Sequence, residues 1–151
     1  MANRHDWLSW DQYLAAHHSN LRRFEYFIID DHVSPILTPT SVVWGGRFVC
    51  RDGLEIHVTR VQDVRRRTGR IEVRTRAYSY HALIRGGDGV RDVLRYDNAH
   101  PHPAHADAHH KHLWDGAGVE RVEHVSEAGW PTLGDVLAEV ESWWSANKTS
   151  G

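Results

Sequence analysis

Residues 95 to 112 concentrate side chains that could carry out acid–base or metal chemistry. The stretch reads RYDNAHPHPAHADAHHKH and holds six of the chain's thirteen histidines. Histidine can gain or lose a proton near neutral pH, and its neutral form is a common metal ligand. The stretch could therefore be a site of acid–base catalysis, a metal site or a solvated loop.

Acid–base catalysis is the chemistry that its two ends favour. Cleavage of RNA without a metal needs a base for the ribose 2′-hydroxyl, cations beside the phosphate and an acid for the leaving oxygen. His110 and His112 could share the base and acid roles. Arg95 and Lys111 could contact the phosphate, and Asp97 could orient an imidazole as a carboxylate does in hydrolase triads. If this segment is extended, however, Lys111 lies on the opposite side from the two histidines.

A metal site is the alternative for the same stretch. Alternate spacing would put pairs of imidazoles on one side of an extended chain, and the candidate ligands are His100, His102, His110 and His112. Histidine clusters in loops often bind metals adventitiously, so we predict no functional metal and no cofactor. Three further histidines are expected to have structural or surface roles: His57, His81 and His124.

Length and composition indicate one cytoplasmic domain. The 151 residues are 40% hydrophobic and include seven Trp, too many apolar side chains for a disordered chain. The single Cys50 excludes an intramolecular disulfide, and no apolar run resembles a signal peptide or a membrane span. We expect residues 1–8 and 147–151 to be a flexible lead-in and tail.

Helical patterns occupy both ends of the chain. Ser9 and Gln12 match a capping box, which predicts a helix from about Trp10. A second helix is predicted over Leu21–Ile29, although its last three residues could equally begin a strand. The C-terminal helix is expected to start after Thr132.

Between the helices the hydrophobic period changes to two, which is typical of strands. Four strands are predicted, over residues 41–50 with a glycine bulge at Gly45-Gly46, 54–59, 70–84 and 90–96, joined by glycine-containing turns. A short last strand could be formed by Val119, Val122 and Val125. The fold class is therefore α+β, with N-terminal helices, a central antiparallel sheet of about four strands and a C-terminal helix. One face of the third strand is expected to present cations and phenols that could bind RNA: Arg74, Arg76, Tyr78 and Tyr80. Tyr96, at the end of the fourth strand, is expected to contact the same RNA.

Charge is segregated along the chain, although the net charge is only −2. Residues 60 to 95 carry ten Arg against four acids, and residues 115 to 151 carry seven acids against two bases. An arginine-rich segment is what a phosphate-binding surface needs, but charge runs are also common on solvated faces.

The quartet Arg95–Asn98 followed by His110–His112 resembles the TumE-like toxins of bacterial type II toxin–antitoxin pairs. Members share an R-Y-D-N strand end, a variable spacer and an H-[KR]-H motif, after a basic strand that ends in tyrosines such as Tyr78 and Tyr80. The resemblance implies a small toxin neutralised by a cognate antitoxin, with RNA as the expected substrate. The predicted layout is also similar to that of RelE-like and related microbial ribonucleases.

The leading hypothesis is thus a metal-independent endoribonuclease toxin whose partners are an antitoxin and RNA, with a homodimer possible. Two alternatives stay open. The same basic face could bind nucleic acid or a protein without catalysis, or the histidines could make the chain a metalloprotein.

Overall fold

A computed structural model describes residues 6–98, 109–126 and 129–148. These residues form two helices and nine strands, and all nine strands belong to one sheet. The helices are Trp10–Arg23 (α1) and Leu133–Asn147 (α2). The strands are Leu8–Ser9 (β1), Ile28–Asp31 (β2), Ser34–Leu37 (β3), Ser41–Cys50 (β4), Leu54–Arg67 (β5), Arg70–Gly86 (β6), Gly89–Asp97 (β7), His110–Trp114 (β8) and Glu120–His124 (β9).

The sheet is antiparallel throughout. Its order is β2-β4-β5-β6-β7-β8-β9, with β1 paired to β6 and β3 paired to β4. Long hairpins built from β4 to β7 form the centre of the sheet. The chain therefore reaches β8 and β9 by adding strands beyond the end of this central meander.

The predicted α+β layout, with N-terminal helices and about four strands, is wrong. The four predicted strands correspond to β4–β7, and the possible short last strand overlaps β9, but five strands were not counted among the four: β1, β2, β3, β8 and β9. These five strands are two to five residues long and contain residues that weaken a strand pattern, such as Pro35 in β3. The predicted similarity to RelE-like ribonucleases depended on a four-stranded sheet, so the nine-stranded sheet does not support it.

From residue 6 to the start of β2, the structure contains a single α-helix. α1 ends at Arg23, and the second predicted helix is replaced by a turn that leads into β2. Phe24 and Phe27 have helical spacing because both are buried in that turn, at 3% and 0% exposure. Their burial, rather than a helix, produced the pattern.

The two helix starts agree with the capping signals. The Ser9 hydroxyl accepts a hydrogen bond from the Gln12 amide at the start of α1. Thr132 and Asp135 form a reciprocal capping box at the start of α2. Each side chain satisfies an amide that the first helical turn leaves without a partner.

Both helices pack on one side of the sheet, which we call the helix face. Around Trp44 of β4 lie the rings of Trp10, Tyr13 and His17 from α1, with centroids 6.0, 5.9 and 4.8 Å away. α2 adds four buried side chains to the same core: Leu133, Val136, Leu137 and Val140. Neither helix is long and apolar enough to span a membrane within the described part of the chain. The other side of the sheet, which we call the opposite face, carries most of the polar strand residues.

A β-bulge in β6 divides that strand into two parts of different alternation. Val61 pairs with Ala77, but the next residue, Gln62, pairs with Thr75, so Arg76 has no cross-strand partner in β5. An inserted residue of this kind turns the side chains that follow to the other side. Tyr78 and Tyr80 therefore lie on the helix face and are buried, at 5% and 2% exposure.

The predicted lead-in and tail fall partly outside the described residues. Where the structure describes them, Leu8 pairs with Val73 in the sheet, and Asn147 is the last residue of α2. The predicted glycine bulge in β4 is absent, because Gly45 and Gly46 pair with β5 in a continuous register. Gly46 instead has a steric role. A Cβ there would lie 1.9 Å from the His32 carbonyl oxygen, at φ +129°, so only glycine lets the β2–β3 segment approach.

Candidate active site on the face opposite the helices

The two motifs predicted to carry chemistry lie on adjacent, paired strands. The paired positions of β7 and β8 are Arg95 with His112, Tyr96 with Lys111, and Asp97 with His110. Because strand side chains alternate, the first and third pairs project from the opposite face, and the middle pair projects toward the helices. Four of the five predicted catalytic residues are thereby brought together, and we call them the motif cluster: Arg95, Asp97, His110 and His112.

Asp97 links the motif cluster. Its side chain is 9% exposed and its Oδ2 lies 2.9 Å from Arg95 Nε and 3.5 Å from His112 Nε2. The guanidinium also reaches His112, with Arg95 Nη2 3.3 Å from Nε2 of the imidazole. The Arg95 side chain remains 36% exposed. Arg95 is therefore held in place by its neighbours and still able to contact an anion from solvent.

His112 is oriented by a second carboxylate, from β9. Its Nδ1 lies 2.6 Å from Glu120 Oε1. A guanidinium can only donate hydrogen bonds, so the contact with Arg95 assigns Nε2 as the acceptor and places the proton of the neutral ring on Nδ1, which donates to Glu120. This arrangement leaves a basic nitrogen beside a cation, as in a carboxylate-oriented general base.

Glu120 was not selected from the sequence, although a signal for it exists. Asp115-Gly116 has the composition of a hairpin turn, and the Asp115 carboxylate accepts hydrogen bonds from the amides of Ala117 and Val119. Pairing across that turn places Trp114 opposite Glu120 and His112 opposite Val122. Glu120 is thus the diagonal neighbour of His112 on the same face.

His110 is the most buried member of the motif cluster. It is 2% exposed, and its ring centroid lies 6.5 Å from that of His124, at an interplanar angle of 73°. Its cross-strand neighbour is Asp97. His110 therefore lies behind the carboxylate that links the cluster, while His112 is closer to the surface at 14% side-chain exposure.

His81, expected to have a structural or surface role, lies directly beside the motif cluster. It pairs with Arg95 from the β6 side, so that a histidine flanks this arginine on each neighbouring strand. His81 Nε2 lies 2.7 Å from Asp92 Oδ1, and its side chain is 26% exposed. The Trp114 ring lies 5.9 Å from that of His81 and 6.1 Å from that of His112. The accessible row at this site is thus His81, Arg95 and His112.

Lys111 and Tyr96 lie on the helix face, away from the motif cluster. Lys111 Nζ forms an ion pair with Glu139 of α2, and the Tyr96 hydroxyl donates to the same carboxylate at 2.6 Å. Burial and the hydrogen bond to Glu139 raise the pKa of Tyr96. These placements differ from the predicted contacts of Lys111 with phosphate and of Tyr96 with RNA.

The remaining predicted RNA contacts are divided by the bulge in β6. Arg74 and Arg76 are exposed, whereas Tyr78 and Tyr80 pack beneath the helices. Three of the four still line one cavity of about 400 Å³ at the end of β7: Arg74, Arg76 and Tyr78. The same cavity is also lined by Asn98, His109 and Trp130. Tyr80 lies outside this cavity, and its hydroxyl accepts a hydrogen bond from Arg60.

Asn98, the last residue of the R-Y-D-N quartet, stabilises the bulge. Its Oδ1 accepts a hydrogen bond from the Tyr78 amide at 2.8 Å, and its Nδ2 donates to the Arg76 carbonyl at 2.9 Å. The quartet therefore divides by face and by role. Arg95 and Asp97 enter the site, Tyr96 packs against α2, and Asn98 bonds the backbone of β6.

The proposed metal ligands His100 and His102 lie outside the described residues. Within residues 6–98, 109–126 and 129–148, no group of three or more His, Cys, Asp or Glu side chains is placed to hold a metal ion.

A family model described as Toxin TumE matches residues 26–144. The match spans β2 to β9 and most of α2, and it includes both motifs. No curated protein and no solved structure matches the chain.

Proposed function

Because the chain belongs to the TumE family of toxins, we propose an activity for this toxin: metal-independent cleavage of RNA at the row His81, Arg95 and His112. Membership in a toxin family also implies an antitoxin as its partner. The observation that supports the activity best is the cation flanked by two partly exposed histidines, each oriented by its own carboxylate.

In the proposed reaction His112 Nε2 takes the proton of the ribose 2′-hydroxyl. The 2′ oxygen forms a bond to phosphorus as the bond from phosphorus to the 5′ oxygen breaks, and protonated His81 gives its proton to that leaving oxygen. Arg95 binds the phosphate and offsets the charge that develops on its oxygens. The products are a 2′,3′-cyclic phosphate and a 5′-hydroxyl.

The roles of His110, Lys111 and Asp97 differ from those predicted from the motifs alone. His110 was expected to share the acid and base roles with His112, but its burial favours His81 as the second histidine at the substrate. His110 then acts as a positioning residue beside Asp97. Asp97 positions Arg95, and Glu120 positions His112.

A basic extension of the same face supports RNA as the substrate. Pairing in the β5–β6 hairpin places four arginines on the side of the sheet that also carries His81: Arg65, Arg67, Arg70 and Arg74. Arg65 and Arg70 pair with Glu72, whereas no carboxylate partner of Arg74 occurs among the described residues, and Arg74 lies 4.7 Å from the Trp7 ring. Cations and a partly exposed aromatic group of this kind can bind a phosphate backbone and stack bases.

Purified protein incubated with RNA in EDTA tests the proposal. We expect fragments with 2′,3′-cyclic phosphate ends and a loss of at least about 100-fold in His81→Ala and His112→Ala. His18→Ala, an exposed histidine of α1 on the other side of the sheet, is the control. Intact RNA with and without ribosomes would contradict the proposal. Salt-sensitive binding without cleavage would instead favour the alternative of a non-catalytic binding module.

A further inference from the structure

A second cavity lies on the helix face, between α1 and the start of α2. It encloses about 120 Å³. Its walls include Tyr13, His17, Asn20, Arg60, Thr132 and Leu133. The cavity is separated from the proposed active site by the thickness of the sheet.

Arg60 is the unusual residue of this cavity. It is 2% exposed, and its Nη1 donates a hydrogen bond to the Tyr80 hydroxyl at 3.2 Å. Among the described residues, Nε and Nη2 of the same guanidinium have no hydrogen-bond partner. The ionisable groups that act most strongly on Arg60 are the phenols of Tyr80 and Tyr13, not carboxylates.

A guanidinium buried in this way is costly, because a charge removed from water needs both a counter-charge and partners for its N–H groups. The rings of Tyr13 and Trp44 lie 5.0 and 4.9 Å from Arg60 Cζ and supply part of the electrostatic compensation. Aromatic faces, however, do not accept the in-plane N–H bonds of Nε and Nη2. These two nitrogens form one edge of the guanidinium, the edge that binds two oxygens of a carboxylate or phosphate side by side.

The other walls of the cavity are compatible with an anion. Thr132 and Leu133 are the cap and first residue of α2, where the helix presents free amides and a partial positive charge. Burial and the neighbouring Arg60 lower the pKa of His17 to about 4, so this ring is neutral at pH 7. The Asn20 amide packs against Gly134, where a Cβ would lie 2.8 Å from Asn20 Oδ1.

We propose that Arg60 binds a small oxyanion in this cavity, a phosphate or a carboxylate, through Nε and Nη2. The anion completes the hydrogen bonds of a buried cation and links β5 to both helices. The site does not depend on RNA cleavage, since it lies on the other face of the sheet.

Thermal unfolding in phosphate, acetate or chloride at equal ionic strength tests the site, with Arg60→Met and the exposed Arg121→Gln as matched variants. At phosphate tenfold above the dissociation constant, we expect the wild type and Arg121→Gln to gain roughly 3 °C more than Arg60→Met. Subtraction of the Arg60→Met shift removes the general stabilisation that phosphate gives to proteins. A shift in phosphate alone assigns a free phosphate site. An equal shift in acetate assigns a carboxylate site, of the kind that an acidic side chain of a partner would fill.

Titration calorimetry of the wild type with inorganic phosphate and with acetate keeps the test decisive if Arg60→Met does not fold. Arg60→Lys retains the charge but not the paired N–H groups, and we expect it to bind at least about tenfold more weakly. Absence of binding heat in the wild type, or equal thermal shifts in all three proteins, would overturn the proposal and leave Arg60 as a cation packed between aromatic rings.

Discussion

Lys111 of β8 forms an ion pair with Glu139 of α2, although both of its neighbours in the strand face the other side of the sheet. Lys111 also lies 5.1 Å from the centre of the Tyr96 ring, whose hydroxyl donates to the same carboxylate. The side chains of the H-K-H motif therefore project from both faces of the sheet. Its histidines belong to the motif cluster, and its lysine fastens α2 to the sheet.

Lys111→Ala should consequently reduce stability more than activity. The two side chains of the pair are 18% and 32% exposed, so we expect a loss of about 1–2 kcal/mol in the free energy of unfolding. Urea denaturation measures this loss, and RNA cleavage per folded molecule should stay within about threefold of the wild type. Arg121→Ala, which breaks an exposed pair with Glu123, is expected to cost less than about 0.5 kcal/mol. Full stability with lost cleavage would instead place Lys111 in the reaction.

Glu120→Gln should impair catalysis without unfolding the protein. The carboxylate accepts from His112 Nδ1 and holds the orientation of the ring, so its loss should lower kcat about tenfold and change KM little. Glu123→Gln is a close control, because the two glutamates are 44% and 45% exposed and lie in the same strand. An unchanged kcat in Glu120→Gln would argue against His112 as the base.

His17 should make the protein sensitive to mild acid. Burial lowers its pKa to about 4, whereas the unfolded chain binds a proton near pH 6.5. The unfolded state therefore holds more protons between these values, and stability falls as the pH drops from about 6.5 to about 4, by roughly 2–3 kcal/mol. His17→Gln should flatten this part of the stability curve measured by urea denaturation. The neighbouring His18→Gln should leave the slope unchanged, and a slope that survives in His17→Gln would assign the proton to another group.

Several elements follow from local signals alone. Ser9 and Thr132 cap the two helices because a side-chain oxygen beside free amides needs no tertiary partner. The strands β4–β7 are nine or more residues long, so even the parts on either side of a bulge contain enough residues to indicate a period of two. The resemblance carried by Arg95–Asn98 and His110–His112 agrees with the family match.

The short strands could not be assigned as firmly from local signals. β8 and β9 have five residues each, and most of those side chains are charged or histidine. Their strand conformation depends on hydrogen bonds to β7 and to each other, and these bonds join residues that are distant in the chain. Local propensity carries no information about such partners.

The sequence by itself determined which side chains are available, the ends of the helices and the two motifs that meet at the site. Tertiary structure decided which face each side chain occupies. If β6 and β7 paired regularly from the Gly86–Gly89 turn onward, His81 would lie opposite Leu94. A register shift between Leu83 and Ala82 places His81 opposite Arg95 instead. The shift at Arg76 likewise turns Tyr78 and Tyr80 toward the helices. The physical reason is that strand side chains alternate with a period of two, so one extra residue reverses all that follow. At Arg76 that residue is held by hydrogen bonds with Asn98, which is distant in the chain.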